Sequence, residues 1–176
     1  ISVVLSRSDA TRALRAVHSS FFLSNHTLSI GVIGTGWVGK TLLTQLRETS
    51  ARLKKDLKID LRVRAIADSK HMIQHDLEID LGTWKDQLAV SKTPVDLDAF
   101  VKNIQADHLP HALLIDCTAN EAIAKRYPEW LKAGIHVITP NKKANTQSMD
   151  FYRLLKAAVT SSDRHYLYET TVGAGL

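Results

Sequence analysis

One run in this sequence has the residue types and spacing to grip a phosphate: Gly34-Thr35-Gly36-Trp37-Val38-Gly39. In such a run Gly34 permits a tight turn, Gly36 lets the backbone approach a pyrophosphate, and Gly39 lets a helix pack closely on a strand. The first N–H groups of that helix, at the positive end of its dipole, then face the anion. Thr35, Trp37 and Val38 complete the loop and are expected to contact the same ligand. No Gly-Lys-Ser/Thr follows at the spacing of a P-loop, which excludes that alternative. Further on, Asp68-Ser69-Lys70 closes a β-branched, alternating stretch. An acid at such a strand end binds a ribose 2′-hydroxyl and selects NAD, so Asp68 favours NAD. Ser69 and Lys70 instead suit a 2′-phosphate and NADP, and the residues leave this choice open.

Other side chains with reactive potential divide into sharp and bland readings. Lys142, in Asn141-Lys142-Lys143, sits at the expected carboxyl end of a strand, where α/β proteins bind ligands. Lys142 is therefore read as functional and Lys143 as solvated. Thr118 follows the most apolar strand and could cap the next helix, face a ligand, or both. Cys117 reads as a buried hydrophobe rather than a nucleophile. His71 and His75 are four apart and could share a helix face, as metal ligands do; without a third ligand they read as surface histidines.

These residues need a scaffold, and the chain supplies one. Residues 28–33 read as a short buried strand and 37–53 as a long helix. Residues 61–67 form a second strand, with Leu61, Val63 and Ala65 alternating against Arg62 and Arg64. Residues 70–110 are polar and helix-leaning. Residues 112–116, Ala-Leu-Leu-Ile-Asp, make the most apolar and hence central strand. A helix over 120–133 is interrupted or kinked near Pro128 and ends at Gly134. A strand at 135–138, a helix at 149–159 and a strand at 166–169 follow. Alternation of this kind predicts an α/β fold, a Rossmann-like doubly wound parallel sheet with helices on both faces. Before it, a strand at 1–5 and a helix carrying Ala10, Leu14, Val17 and Phe21 are too small to fold alone. Residues 1–26 are thus set apart from a nucleotide-binding domain at 27–176.

Composition narrows the partners. Of 176 residues, 44% are hydrophobic and 23% charged, an ordinary globular balance, with a net charge of +5. The charge is spread out: Arg52, Lys54, Lys55 and Lys58 lie on one helical stretch, and Lys142-Lys143 is a separate pair. No basic tract interleaved with aromatics appears, so no nucleic-acid partner is expected. No apolar run approaches the roughly 20 residues that span a bilayer, so no membrane partner is expected. A single cysteine, Cys117, precludes an internal disulfide and favours a reducing, cytoplasmic setting. The start at Ile1 and the Gly-rich end read as cuts from something longer.

Two further runs, Thr139-Pro140-Asn141-Lys142-Lys143-Ala144-Asn145 and Tyr168-Glu169-Thr170-Thr171-Val172-Gly173-Ala174-Gly175-Leu176, join Asp116-Cys117-Thr118 in resembling homoserine dehydrogenase. The likeness is to the dehydrogenase part of bifunctional aspartate kinase–homoserine dehydrogenases. Ile1-Ser2-Val3-Val4 and Arg12-Ala13-Leu14-Arg15-Ala16-Val17-His18 resemble the last strand and helix of an ACT-type regulatory domain. The resemblance implies an oxidoreductase that interconverts L-aspartate 4-semialdehyde and L-homoserine with NADP, or NAD, and that assembles as a homo-oligomer. It implies that Thr118 lies near the nicotinamide side and that Lys142 reaches between cofactor and substrate. It also implies a monovalent-cation site, usually sodium, held by the Glu169 side chain and the carbonyls of Val172, Ala174 and Leu176. The family's substrate domain, with its acid and its proton-shuttling lysine, would lie beyond residue 176. The competing reading is a non-catalytic regulator that senses NAD(P) through the same fold.

Overall fold

The computed structural model describes residues 6, 10, 14, 17, 26–105, 109 and 111–171. The strand expected at residues 1–5 lies outside them; Ala10, Leu14 and Val17 are helical. Six strands form one sheet in the order β3-β2-β1-β4-β5-β6. They are β1 (His26–Ile33), β2 (Ile59–Ala67), β3 (Met72–Gln74), β4 (His111–Asp116), β5 (Ile135–Ile138) and β6 (Tyr166–Leu167). All neighbours run parallel except β2 and β3, which pair antiparallel through Ala65–Gln74, Ile66–Ile73 and Ala67–Met72. The fold is the expected doubly wound α/β sheet, with an antiparallel edge strand inside the helix-leaning stretch 70–110.

Helices α1 (Trp37–Leu57) and α2 (Trp84–Val90) cover one face. There Leu43, Trp84 and Leu88 pack on Ile30, Val32, Val63 and Ile66. Helices α3 (Leu97–Ile104), α4 (Glu121–Ala124), α5 (Tyr127–Lys132) and α6 (Met149–Ser162) cover the other. Their Phe100, Ile104, Tyr127, Trp130 and Leu155 pack on Ile33, Leu114, Ile135 and Val137. Two-sided burial explains why β4 reads as an apolar run rather than a strict alternation. At Gly31 helix and sheet pack closely: a Cβ there would lie 2.5 Å from the Phe100 ring. Among the described residues no helix is long and apolar enough to cross a membrane.

Three local expectations change. Helix α1 runs one turn past residue 53, to Leu57, and stops where Lys58 takes a left-handed conformation at φ 59°. The helix expected over 120–133 is two helices, α4 and α5. The break falls at Lys125 and Arg126, ahead of Pro128, which sits in the first turn of α5 where its missing N–H costs nothing. Gly134 follows at φ 90°, as a helix-terminating glycine should.

The third change is Arg64. The register of β1 against β2 steps from Ile30–Val63 to Gly31–Ala65, so Arg64 is the extra residue of a β-bulge. The bulge turns it inward, and it is 3% exposed rather than facing solvent. Its Nε donates to Asp76 O at 3.0 Å and its Nη1 to Asn103 O at 2.6 Å, tying β2 to the loop after β3 and to α3. Burial holds its guanidinium below the usual arginine range. Arg64→Met should keep the volume but leave two carbonyls without donors, at about 3 kcal/mol. A thermal melt should fall by roughly 10 °C. A melt unchanged from wild type would show that the two hydrogen bonds do not hold this edge.

Candidate functional site

Strand order reverses between β1 and β4, because β2 lies on one side of β1 and β4 on the other. Ligands of such sheets bind beyond the strand carboxyl ends at this point. The loop after β1 is Gly34-Thr35-Gly36, and the loop after β4 begins Cys117-Thr118. Gly34 has φ 93° and donates its N–H to Ala67 O at 2.8 Å, which pins the loop to the end of β2. A Cβ on Gly34 would meet Thr118 Cγ2 at 2.7 Å; one on Gly39 would meet Gly34 O at 1.9 Å. A Cβ on Gly36 would meet nothing within 4 Å. Two glycines thus close the loop on itself, and the third leaves room in front of it.

The first hydrogen bond of α1 runs from Lys40 N–H to Gly36 O at 2.9 Å. The N–H groups of Trp37, Val38 and Gly39 come before it. No side chain caps this end and no acid lies in its first turn. The positive end of a 21-residue helix is therefore left for an anion. A cleft of about 390 Å³ opens there, lined by Gly34, Thr35, Gly36, Asp68, Ser69 and Thr118 among others. A second, more apolar groove of about 410 Å³ lies beside it, bounded by Trp37, Val38, Ile138, Pro140 and Thr170. The two share Cys117. A dinucleotide has two such halves, and the residues fit one laid across the glycine loop. Trp37, 92% exposed, and Val38 thus belong to the groove rather than to the phosphate cleft.

Asp68 is the acid expected at the end of β2, but its oxygen Oδ1 is committed. It accepts Lys70 N–H at 2.6 Å and His71 N–H at 2.7 Å, stapling the turn that carries Ser69. Burial works to raise this carboxyl, yet those N–H donors and the His71 and Lys70 charges prevail and hold it below the usual range. Lys70 is exposed on the same turn. His71 and His75 do not share a helix face, because β3 lies between them; His75 Nδ1 accepts Leu77 N–H at 3.1 Å. Among the described residues no group of three or more His, Cys, Asp or Glu is placed to hold a metal.

Thr118 lines the cleft, but the cap of α4 is Asn120, whose side chain accepts Ala122 N–H at 2.8 Å. Thr118 Oγ1 instead accepts Asn120 N–H at 3.1 Å. Burial, with the Asp116 charge adding, pushes the Cys117 thiol up to about 11, so it is no nucleophile at neutral pH. Lys142 lies exposed in a 3₁₀ turn, Lys142–Ala144, and makes no ion pair among the described residues. Strand β6 ends at Leu167, and Glu169 falls in a second 3₁₀ turn, Glu169–Thr171. Val172, Ala174 and Leu176 lie outside the described residues. Ile138, Pro140 and Thr170 were not anticipated; only the tertiary approach of β5, α1 and the Glu169–Thr171 turn brings them together.

Fold and loop together define a dinucleotide-binding α/β domain. A family model described as "Homoserine dehydrogenase, NAD binding domain" matches residues 34–169, and the chain belongs to that family. It is 50% identical over 177 residues to the maize (Zea mays) protein named "Bifunctional aspartokinase/homoserine dehydrogenase 1, chloroplastic", covering 100% of this chain and 19% of that protein. It is 36% identical over 176 residues to the bifunctional aspartokinase/homoserine dehydrogenase of Haemophilus influenzae, covering 100% of this chain and 22% of that one. The chain thus spans about a fifth of these curated relatives. A solved hyperthermophilic archaeal homoserine dehydrogenase in complex with NADPH shares the fold, with a TM-score of 0.64 and 22% identity. That likeness covers 83% of this chain and 44% of the other. The non-catalytic sensor is not favoured by these likenesses.

Proposed function

We propose that this chain binds NADP(H) across the glycine loop and presents it for hydride transfer between L-aspartate 4-semialdehyde and L-homoserine in the complete protein. The open space in front of Gly36, at the uncapped end of α1, carries this reading. The bound nicotinamide supplies the hydride. The chain's own residues orient it: first-turn N–H groups hold the pyrophosphate, and Thr118 bounds the cleft. Lys142 places positive charge where the carbonyl oxygen gains negative charge. Reduction of aspartate semialdehyde by the complete protein, followed as NADPH oxidation, tests the reading. Absence of turnover with this aldehyde overturns it.

The turn geometry supports NADP over NAD. Asp68 Oδ1 already holds two backbone N–H groups, and Ser69 and the exposed Lys70 charge stand on the same turn, where they would meet a 2′-phosphate. The archaeal structure named above carries NADPH. A Ser69→Ala/Lys70→Ala double variant should weaken NADPH about tenfold and leave NADH unchanged. An intact NADPH-to-NADH affinity ratio, measured by titration, would return the choice to Asp68 and NAD.

The remaining roles follow the family. The Glu169 carboxylate and the Val172, Ala174 and Leu176 carbonyls would hold a monovalent cation, sodium in the first instance. Substrate contacts would come from a further domain of the complete protein, a homo-oligomer joined to an aspartate kinase in threonine and methionine biosynthesis. The lone thiol of Cys117 suits a reducing compartment, the cytoplasm among them.

A further inference from the structure

At the junction of the Thr118 loop, which lines the cleft, and the Lys142 turn lies a group of buried polar side chains that the chemistry above does not use. Asp116, the last residue of β4, is fully buried and forms no ion pair among the described residues. Its carboxyl oxygens accept from three donors. Thr118 N–H reaches Oδ1 at 2.8 Å, Asn141 Nδ2 reaches Oδ2 at 3.0 Å, and the Tyr127 hydroxyl also donates to Oδ2. Asn141 is buried as well, and its other contacts lie at the same junction. Nδ2 also donates to Asn120 O at 3.0 Å, while Oδ1 accepts Lys143 N–H at 3.0 Å and so caps the turn bearing Lys142. Thr139 Oγ1 donates to Asp116 O and accepts Asn141 N–H, both at 2.8 Å.

A buried carboxyl without a cation costs several kcal/mol unless donors surround it. A well-packed apolar side chain would hold the sheet together without that cost. It could not, however, choose between the two ends of the Asn141 carboxamide. Asp116 can, because it accepts only the amide's donor end. A flipped amide would set Oδ1 against Asp116 Oδ2 and Asn120 O, and its NH₂ against Lys143 N–H. Burial first, then the Asp116 charge, hold the Tyr127 hydroxyl far above its ordinary range, so Tyr127 stays a donor.

We propose that Asp116 is a positioning residue that fixes the Asn141 carboxamide, and through it sets Lys142 and the Thr118 loop against the cofactor cleft. The inference rests on the reading of both loops as cofactor-facing. Within it, the strand end, the α4 entry and the Lys142 turn share one hydrogen-bonded hub, so the Thr118 loop and the Lys142 turn keep a fixed spacing.

The test is Asn141→Asp in the complete protein, with NADPH affinity read from Trp fluorescence; Trp37 beside the loop is an exposed reporter. This variant keeps the shape and the acceptor for Lys143 N–H, but sets two carboxyls about as far apart as Asp116 and Asn141 are now. Such a pair shares one proton, and its second ionisation is driven up. Relative to wild type at the same pH, affinity should be near normal at about pH 5.5 and at least tenfold weaker by about pH 8. A variant-to-wild-type ratio that stays flat across this window overturns the proposal. Asn141→Ala covers the case in which the acid variant fails to fold: it should weaken NADPH about tenfold with no pH trend. Wild-type affinity in that variant also overturns the proposal. If the wild-type protein binds no NADPH at any pH, the cofactor reading fails, and the positioning role falls with it.

Discussion

Gly36→Val is expected to abolish cofactor binding while the fold persists. The backbone at Gly36 has φ −69° and ψ −160°, extended geometry that any residue adopts. The new Cβ would meet no protein atom within 4 Å, so the substitution strains nothing around it. What it would fill is the space between the first turn of α1 and the cleft, where a pyrophosphate must come within hydrogen-bond reach of backbone N–H groups. Losing that approach removes several charge-assisted hydrogen bonds at once. Affinity for NADPH should drop at least 100-fold, about 2.7 kcal/mol. Calorimetric titration reads the affinity, and a circular-dichroism melt reads the fold. The neighbouring glycine supplies the contrast. A Cβ at Gly39 would sit 1.9 Å from Gly34 O, so alanine there must force the loop off the helix and should lower the melt as well. If Gly36→Val titrates as wild type does, the glycine loop is only a packing turn.

The glycine loop was legible because its chemistry is local: Gly34 and Gly39 answer to contacts within a few residues or at the next strand end, and Gly36 to the open space before the helix. Strand β4 was legible for a related reason, since burial on both faces writes itself as the unbroken apolar run Ala-Leu-Leu-Ile. The short strand β3 carried no such mark. Met72–Gln74 is three residues long and exists through its pairing with Ala65–Ala67, which is not encoded within its own window. Arg64 misled for a different reason. Alternation placed it outside, but a bulge moves one residue out of phase, and nothing in Val63-Arg64-Ala65 announces that shift.

The site divides along the same line. Asp68 could be found from its place at a strand end, yet its use as a turn staple depends on the backbone path through Lys70 and His71. The Asp116 hub was missed altogether. Its signal was an acid closing the most apolar strand in the chain, where a solvated carboxylate has no place. Its partners Tyr127 and Asn141 are 11 and 25 residues away, and only the crossover connection brings them together.

Lys142→Ala should remove most of the turnover of the complete protein without weakening NADPH. Both lysines of the Asn141-Lys142-Lys143 run are exposed, and their surroundings separate them. The Lys143 charge acts on Glu121, helping to hold that carboxyl below the usual range, after the hydrogen bond and charge of Lys125. Lys142 has no acid paired with it among the described residues, and its backbone is set by the Asn141 cap and by Asn145 N–H donating to Lys142 O at 3.1 Å. A free ammonium on a fixed stem suits a developing oxyanion better than one that shares the field of a carboxylate with Lys125. Removing such a charge costs about 10²- to 10³-fold in kcat. The cost should fall on kcat, because the interaction strengthens only as the carbonyl oxygen gains charge. Lys142→Arg keeps the charge but spreads it over a planar fork with different reach, and should restore only part of the rate. Lys143→Ala, by the same reasoning, should leave kcat unchanged. Should the two alanine variants turn over alike, the distinction between the lysines fails, and Lys142 is only a solvated side chain at the end of β5.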